Sequence, residues 1–156
     1  MIMTRNTLVV LAAAGSAALL LGAFGFQIIG YAPCKMCLWQ RWPHAAAIAI
    51  GGLALVWKTR ALPWLGALAM LITAGIGLFH TGVERRWWDG PSSCSGGGDG
   101  LRGMSGSDLL STDIVDRVVM CDEVAWEFLT LSMASWNMLA SLALAVVWVL
   151  AARRPA

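Results

Sequence analysis

Four cysteines carry the most reactive side chains of this 156-residue sequence. Cys34 and Cys37 form a C-x-x-C around Lys35 and Met36, while Cys94 and Cys121 lie far downstream. Counting alone permits three pairings, of which 34–37 with 94–121 is the most economical. A 94–121 bridge closes a long loop, which on the chain-entropy model stabilises by about 3–4 kcal/mol. A 34–37 bridge closes almost no loop, so stabilisation is a poor reason for its existence. Such tight pairs belong to thiol–disulfide chemistry, in which a thiolate of lowered pKa attacks or leaves. Lys35 inside the motif and Arg41 four residues after Cys37 both favour a thiolate. A C-x-x-C is also a common zinc half-site, and Cys34, Cys37, His44 and His80 would make a Cys2His2 set. No compact second half-site is visible, so no metal is expected. Leu38 after Cys37 excludes covalent haem attachment, which needs a histidine there.

The composition decides what must position these groups. Hydrophobic residues make up 58% of the chain and charged residues 13%, against about 45–50% and about 25% in soluble domains. A soluble enzyme and a disordered chain fit poorly. A net charge of +2 without a basic cluster leaves no footprint for nucleic acid. An integral protein of the lipid bilayer remains. Helical spans need about 20 apolar residues, and stretches at about 7–29, 42–57, 62–80 and 129–152 supply them. The expected fold is all-α, a single four-transmembrane-helix bundle over 1–156. The second span is short and borrows Trp42, Trp57 and Lys58 as interfacial anchors. The first apolar run is too long for a signal-peptide core and no clean cleavage site follows it, so cleavage is not expected.

Charge sets the orientation. Arg5, Lys58, Arg60, Arg153 and Arg154 occupy the two ends and the loop between spans two and three, with no acidic residue among them. The positive-inside rule places these in the cytoplasm. All nine acidic residues fall in the 81–128 segment, against four arginines. Loops 30–41 and 81–128 are then extracytoplasmic, which brings all four cysteines to one disulfide-permissive side. Within the long loop, His80 to Pro91 reads as an extension of span three ending in a Gly90-Pro91 turn. Ser92 to Ser107 is rich in Gly and Ser and should leave Cys94 mobile and exposed. Leu110, Ile114 and Val118 recur at helical spacing and predict a short amphipathic helix holding Cys121 near the membrane. Trp42, Trp57, Trp64, Trp87, Trp88, Trp126 and Trp148 read as interfacial belt residues.

Two further features bear on chemistry. Arg41 opens the second span, where a costly ionisable group faces the bundle or a ligand, and Pro43 suits a first helical turn. His80 and Glu84 share a face if the third helix continues. Electrons entering at Cys94 can pass to Cys121 and then to the C-x-x-C. A disulfide cannot regenerate itself, and no nucleotide fingerprint is present. A lipid-soluble acceptor, a quinone, is the natural choice, with Arg41 stabilising its anionic form.

At this point the residues resemble the DsbB family, bacterial membrane proteins that reoxidise the periplasmic thiol oxidase DsbA using quinone. The likeness rests on Pro33-Cys34-Lys35-Met36-Cys37 with Gln40-Arg41-Trp42-Pro43-His44. It extends to His80-Thr81-Gly82-Val83-Glu84, Trp87-Trp88-Asp89-Gly90-Pro91 and Cys94. Cys121-Asp122-Glu123 with Trp126, and Leu131-Ser132-Met133-Ala134-Ser135-Trp136-Asn137, complete it. The resemblance implies that Cys94 forms the mixed disulfide with a DsbA-like partner and that Cys121, once released, attacks Cys34. It implies that Cys37 becomes the thiolate against ubiquinone or menaquinone, with Arg41, His80 and Glu84 around the quinone head group. It implies a multi-pass protein of the bacterial inner membrane with cytoplasmic termini and periplasmic cysteine loops, and nothing in the sequence demands more than a monomer. The Gly-rich run 96–100 and the Lys35-Met36 dipeptide depart from the pattern. Two other readings compete: a non-catalytic membrane interaction protein with structural disulfides, and a four-helix reductase of the vitamin K epoxide reductase type. The latter places its C-x-x-C on a late span, unlike this chain.

Overall fold

A computed structural model describes residues 3–91, 94 and 120–155. Four long helices, α1 (Arg5–Ile28), α2 (Lys35–Val56), α3 (Ala61–Glu84) and α4 (Met133–Arg153), form its body. A two-residue-per-strand hairpin, β1 (Glu127–Phe128) and β2 (Leu131–Ser132), leads into α4. The helices close a ring in which α2 and α4 each touch both α1 and α3. Three of them, α1, α3 and α4, are long and apolar enough to cross a membrane. In α2 the residues Gln40, Arg41 and His44 dilute the apolar run. The expected amphipathic helix and most of the Gly/Ser-rich stretch lie outside the described residues.

Each helix end has an identifiable cause. Thr4 caps α1, its hydroxyl accepting from the Thr7 N–H at 3.3 Å. At the other end the Tyr31 N–H bonds the Phe26 carbonyl and the Gly30 N–H bonds that of Gln27, with Gly30 at φ 105°. This is the left-handed termination that favours glycine. The third helix ends the same way, but Arg86 occupies the left-handed position at φ 57°, with Trp87 bonded back to Gly82 and Arg86 to Val83. The helix therefore stops at Glu84 instead of extending toward Pro91. Trp88 then folds back: its indole N–H donates to the Phe79 carbonyl at 2.9 Å, and its ring covers Gly82, where a Cβ would lie 2.0 Å from it.

Two boundaries differ from the sequence reading in a way that moves the site. The second helix begins at Lys35, not near Trp42, because Cys34 caps it: its Sγ accepts from the Cys37 N–H at 3.2 Å. Pro43 thus lies inside the helix and not in its first turn. The fourth helix starts at Met133, since Glu127 to Ser132 pair as a hairpin in the register Glu127↔Ser132 and Phe128↔Leu131. Leu129 and Thr130 form its turn at φ 51° and 64°, a conformation that a β-branched residue adopts only under restraint. The restraint comes from Arg85, which donates to the Thr130 carbonyl, and Trp136, which donates to that of Phe128.

The apolar core lies at the end of the bundle away from the cysteines, around Val9, Ala12, Ala47, Met70, Ala145 and Trp148. Trp148, expected in the interfacial belt, is fully buried. Small residues face it, and a Cβ on Gly66 would meet its ring at 2.5 Å. Trp42, Trp57, Trp64, Trp87 and Trp88 are exposed as a belt requires, and Trp126 is partly buried. Arg5 is also buried, donating to the Ala54 and Thr59 carbonyls at 3.0 and 2.9 Å and so tying the α1 start to the α2 end. Gly66→Ala is expected to displace Trp148 and destabilise the bundle by about 1–3 kcal/mol, as overpacking does. A lowered melting temperature in detergent, with helical content retained before the transition, would show it.

Candidate thiol–disulfide site

The cysteines occupy the other end of the bundle and meet in one place. Cys34, Met36, Val83, Cys94 and Cys121 form a single buried cluster, with Cys37 packed against it. Cys94 and Cys121 are joined by a disulfide, their Cα atoms 5.3 Å apart. Cys34 and Cys37 are free thiols whose sulfurs lie 2.8 Å apart. Cys94 was expected to be mobile and exposed, yet only 4% of it is accessible. Its N–H bonds the Pro91 carbonyl at 2.8 Å and its carbonyl accepts from Cys121 at 2.7 Å, so the disulfide folds in against α3.

The helix start explains how the two thiols differ. Both precede the apolar part of α2, which begins at Trp42. Cys34, as cap, offers its sulfur to the first turn, and its S–H points at Cys37. That hydrogen bond holds Cys37 below the ordinary thiol range, with Arg41 adding to it and burial opposing it. The same hydrogen bond, and then burial, pushes the Cys34 thiol up. Of the two thiols Cys37 is therefore the more readily ionised, and Cys34 the one that keeps its proton longer. Lys35, between them in sequence, is exposed.

On one side of the pair stand groups that exchange protons. His80 Nε2 lies 3.5 Å from Cys34 Sγ and 3.8 Å from Glu84 Oε1. Glu84 accepts from the Ser132 hydroxyl at the start of α4, and Ser132 also meets Ser135, which meets Thr81. His80 Nδ1 faces the Gln40 amide at 3.0 Å. Gln40 in turn accepts from Asn137 at 2.7 Å, and Asn137 meets His44 Nε2 at 2.9 Å and Thr73 at 3.1 Å. A small cavity of about 50 Å³ is lined by Cys34, Cys37, Arg41, His80 and Glu84 among others.

On the other side lies a larger cavity of about 480 Å³, between α1 and α4 with α2 behind it. Leu19, Leu20, Phe26, Trp126, Phe128 and Trp136 give it apolar and aromatic walls. Its polar edge is formed by Cys37, Gln40, Arg41, His44 and Asn137. Arg41 donates to Gln27 Oε1 at 2.8 Å and to the Ala23 carbonyl at 3.2 Å, and stands 4.8 Å over the Phe24 ring. Its buried Nε has no partner among the described residues. Cys37 and Arg41 thus border both cavities, whereas His80 and Glu84 border only the small one. His44, considered beside the cysteines as a metal ligand, is bonded to Asn137 instead.

Sequence reasoning named Gln40, Ser132 and Asn137 only within the family-like stretches and gave them no role, and it passed over Thr73. A signal for the first existed: Met36, Gln40 and His44 recur every four residues and form the buried face of α2. A polar side chain on an otherwise apolar helix turns inward to find a partner.

A helical membrane protein that presses a dithiol against a disulfide beside an aromatic cavity belongs among the thiol–disulfide oxidoreductases. The comparison with known families agrees: the chain belongs to the family described as disulfide bond formation protein DsbB, whose profile matches residues 5–151. The curated "Disulfide bond formation protein B" of Polaromonas sp. (strain JS666 / ATCC BAA-500) is 29% identical over 154 residues, covering 93% of this chain and 88% of its own. The protein of the same name from Nitrosococcus oceani is 32% identical over 144 residues, covering 83% and 81%. No solved structure matches the chain.

Because Cys37 is the more readily ionised thiol and is less buried than Cys34, iodoacetamide should modify Cys37 first at neutral pH. Peptide mapping after brief exposure should find Cys37 labelled several-fold ahead of Cys34, and the reverse order would refute the proton assignment.

Proposed function

We propose that this protein is a protein-dithiol:quinone oxidoreductase of the bacterial inner membrane, which reoxidises a DsbA-like periplasmic thiol oxidase and so sustains disulfide formation in exported proteins. The observation that carries the reading is the position of Cys37. It packs against the buried cluster that holds the Cys94–Cys121 disulfide and also lines the 480 Å³ cavity with Arg41.

In this reading all four helices cross the membrane, α2 by burying Gln40 and His44 against α3 and α4. The termini are cytoplasmic, the cysteine loops are periplasmic, and the chain acts as a monomer. A thiolate of the partner attacks Cys94 and breaks the Cys94–Cys121 bond, leaving a mixed disulfide and a free Cys121 thiolate. When the C-x-x-C is oxidised, Cys121 attacks Cys34, and Cys37 leaves as a thiolate. Resolution of these two mixed disulfides oxidises the partner, restores Cys94–Cys121 and leaves Cys34 and Cys37 reduced. Two electrons have then moved from the partner to the C-x-x-C, which matches the redox state of the structure.

The larger cavity fits a quinone. Its walls are aromatic, and the one unpartnered nitrogen of Arg41 is buried at its polar edge. Ubiquinone or menaquinone, when bound, supplies a two-electron, two-proton acceptor. The chain's own groups prepare that transfer: the hydrogen bond from Cys34 favours ionisation of Cys37, Arg41 adds positive charge beside it, and the aromatic walls exclude water. His80 and Glu84 were expected around the quinone head group. Their contacts suit another task, taking the proton from Cys34 as it re-forms its bond to Cys37.

Detergent-purified protein should oxidise a reduced DsbA-like protein when quinone is added, and Cys37→Ser should lose this turnover. Retained turnover in Cys37→Ser would sink the proposal. Cys34→Ser, which leaves Cys37 without its neighbour, should gain a long-wavelength charge-transfer band on adding quinone. If quinone binds without a band, it lies away from Cys37. If quinone does not bind at all, the protein is a membrane interaction partner with structural disulfides.

A further inference from the structure

The sequence shows half of a metal site and no second half, but the fold brings one. We infer that the reduced C-x-x-C, together with His80 and Glu84 of α3, is a capture site for a single thiophilic divalent cation of the zinc type, which holds the protein reversibly in its dithiol state. This inference rests on the dithiol geometry and not on the identity of any electron acceptor.

The donor set is Cys34 Sγ, Cys37 Sγ and His80 Nε2, all within 4.8 Å of one another, with Glu84 Oε1 3.8 Å from Nε2. Zinc bonds of about 2.0–2.3 Å in a tetrahedron require ligand atoms about 3.3–3.8 Å apart. The Cys34–His80 separation of 3.5 Å and the His80–Glu84 separation of 3.8 Å meet this as they stand. The Cys34–Cys37 distance, 2.8 Å, must widen by about 1 Å on the same geometry, by side-chain rotation at Cys37, and Glu84, which lies outside the close group of Cys34, Cys37 and His80, must close on the sulfurs from its place beside His80. The four donors line one cavity of about 50 Å³, room for one ion.

Charge and outer support also fit. Two thiolates and the Glu84 carboxylate bring three negative charges, and a divalent ion with the nearby Arg41 brings three positive ones. Arg41 lines the same cavity but is bonded to Gln27 and Ala23, so it can balance the site without occupying it. A metal-bound histidine donates its other ring N–H to a fixed acceptor. Gln40 faces His80 Nδ1 at 3.0 Å, and with its amide turned over its Oε1 is that acceptor. Asn137, turning with it, keeps the Gln40–Asn137 bond, while the Gln40 bond to the Met36 carbonyl and the Asn137 bond to Thr73 are given up. Binding is not a redox step: the ion replaces the thiol protons, which pass to the buffer. An oxidised C-x-x-C offers no thiolate and is not a site.

The test uses the full-length Cys94→Ala/Cys121→Ala protein in detergent, reduced and freed of reductant, so that the C-x-x-C holds the only thiols. Titration with Co²⁺ should give one ion per chain, with thiolate charge-transfer absorption and the intense d–d bands of a tetrahedral centre, all displaced by Zn²⁺. His80→Ala and Glu84→Gln should each weaken Zn²⁺ binding at least about tenfold, as loss of metal-supporting groups does. The same protein oxidised at Cys34–Cys37 should bind none. Should His80→Ala fail to fold, Glu84→Gln and the cobalt spectrum still decide. An octahedral spectrum, or affinity unchanged in both variants, would overturn the inference and leave a bare dithiol chelate. No quinone or partner protein enters these measurements, so they stand or fall apart from the catalytic proposal. Where turnover is present, added Zn²⁺ should arrest it and a chelator restore it.

Discussion

Gln40 is the side chain on which the rest of this end of the bundle depends. It faces the His80 imidazole of α3, accepts from the Asn137 amide of α4 and donates to the Met36 carbonyl one turn back on its own helix. Inside an apolar bundle an unpaired amide costs several kcal/mol, so these contacts fix how α2, α3 and α4 pack against one another. The depth of α2 against α3 sets where Cys34 stands relative to His80. That in turn sets how closely the C-x-x-C approaches the Cys94–Cys121 disulfide. The polar network is the frame of the thiol chemistry, and the apolar core around Trp148, at the opposite end, supplies the packing that lets the frame be polar.

The same helix gives the two thiols unequal neighbours. Cys34 looks toward α3, where His80 stands 3.5 Å from its sulfur and 3.8 Å from Glu84, which accepts from Ser132 at the start of α4. Cys37, three residues on, lies on the same side of the helix about 60° round from Cys34; it shares the small cavity with Cys34, His80, Glu84 and Arg41 and, unlike Cys34, also borders the aromatic cavity. The two sulfurs thus differ in that Cys37 alone of the pair reaches the aromatic cavity. This division would be lost if the C-x-x-C lay in an extended loop before the helix. Capping by Cys34 is what draws the motif into the first turn, and it uses the same sulfur that carries the chemistry.

Much of this was legible in sequence. The apolar runs locate the helices, because burial in lipid demands long uncharged stretches, and Gly30 marks the end of α1 because glycine tolerates a left-handed backbone. The end of α3 was hidden for the converse reason: Arg86 takes the same conformation without the residue type that announces it. The start of α2 was hidden because cysteine is not among the usual caps. Trp148 was misread because tryptophan at a span end is ordinarily interfacial, whereas here Gly51 and Gly66 open a slot for it. Cys34, Cys37, Cys94 and Cys121 were found from type and spacing. The location of His80 and Glu84 beside Cys34, away from the large cavity, depends on the rotation of α3 against α2. No local pattern encodes that rotation.

The burial of Cys94 has a consequence for how a partner can enter. Thiol–disulfide exchange needs the attacking sulfur to approach the bond it breaks. Cys94 is 4% accessible, Cys121 is fully buried and Cys34 is 4% accessible. An outside protein therefore cannot reach Cys94 while the disulfide packs on Val83 and Met36, and it is equally barred from Cys34. Inside the chain the two pairs already lie in one buried cluster. Among the described residues, the Pro91–Cys94 and Cys94–Cys121 backbone hydrogen bonds sit at the edge of the helical body, apart from the network around Gln40. In the proposed reading, displacing Cys94 while the bundle stays fixed would separate exchange with the partner from exchange within the chain. Cys34, at 4% accessible, would then meet an outside thiol only through Cys121.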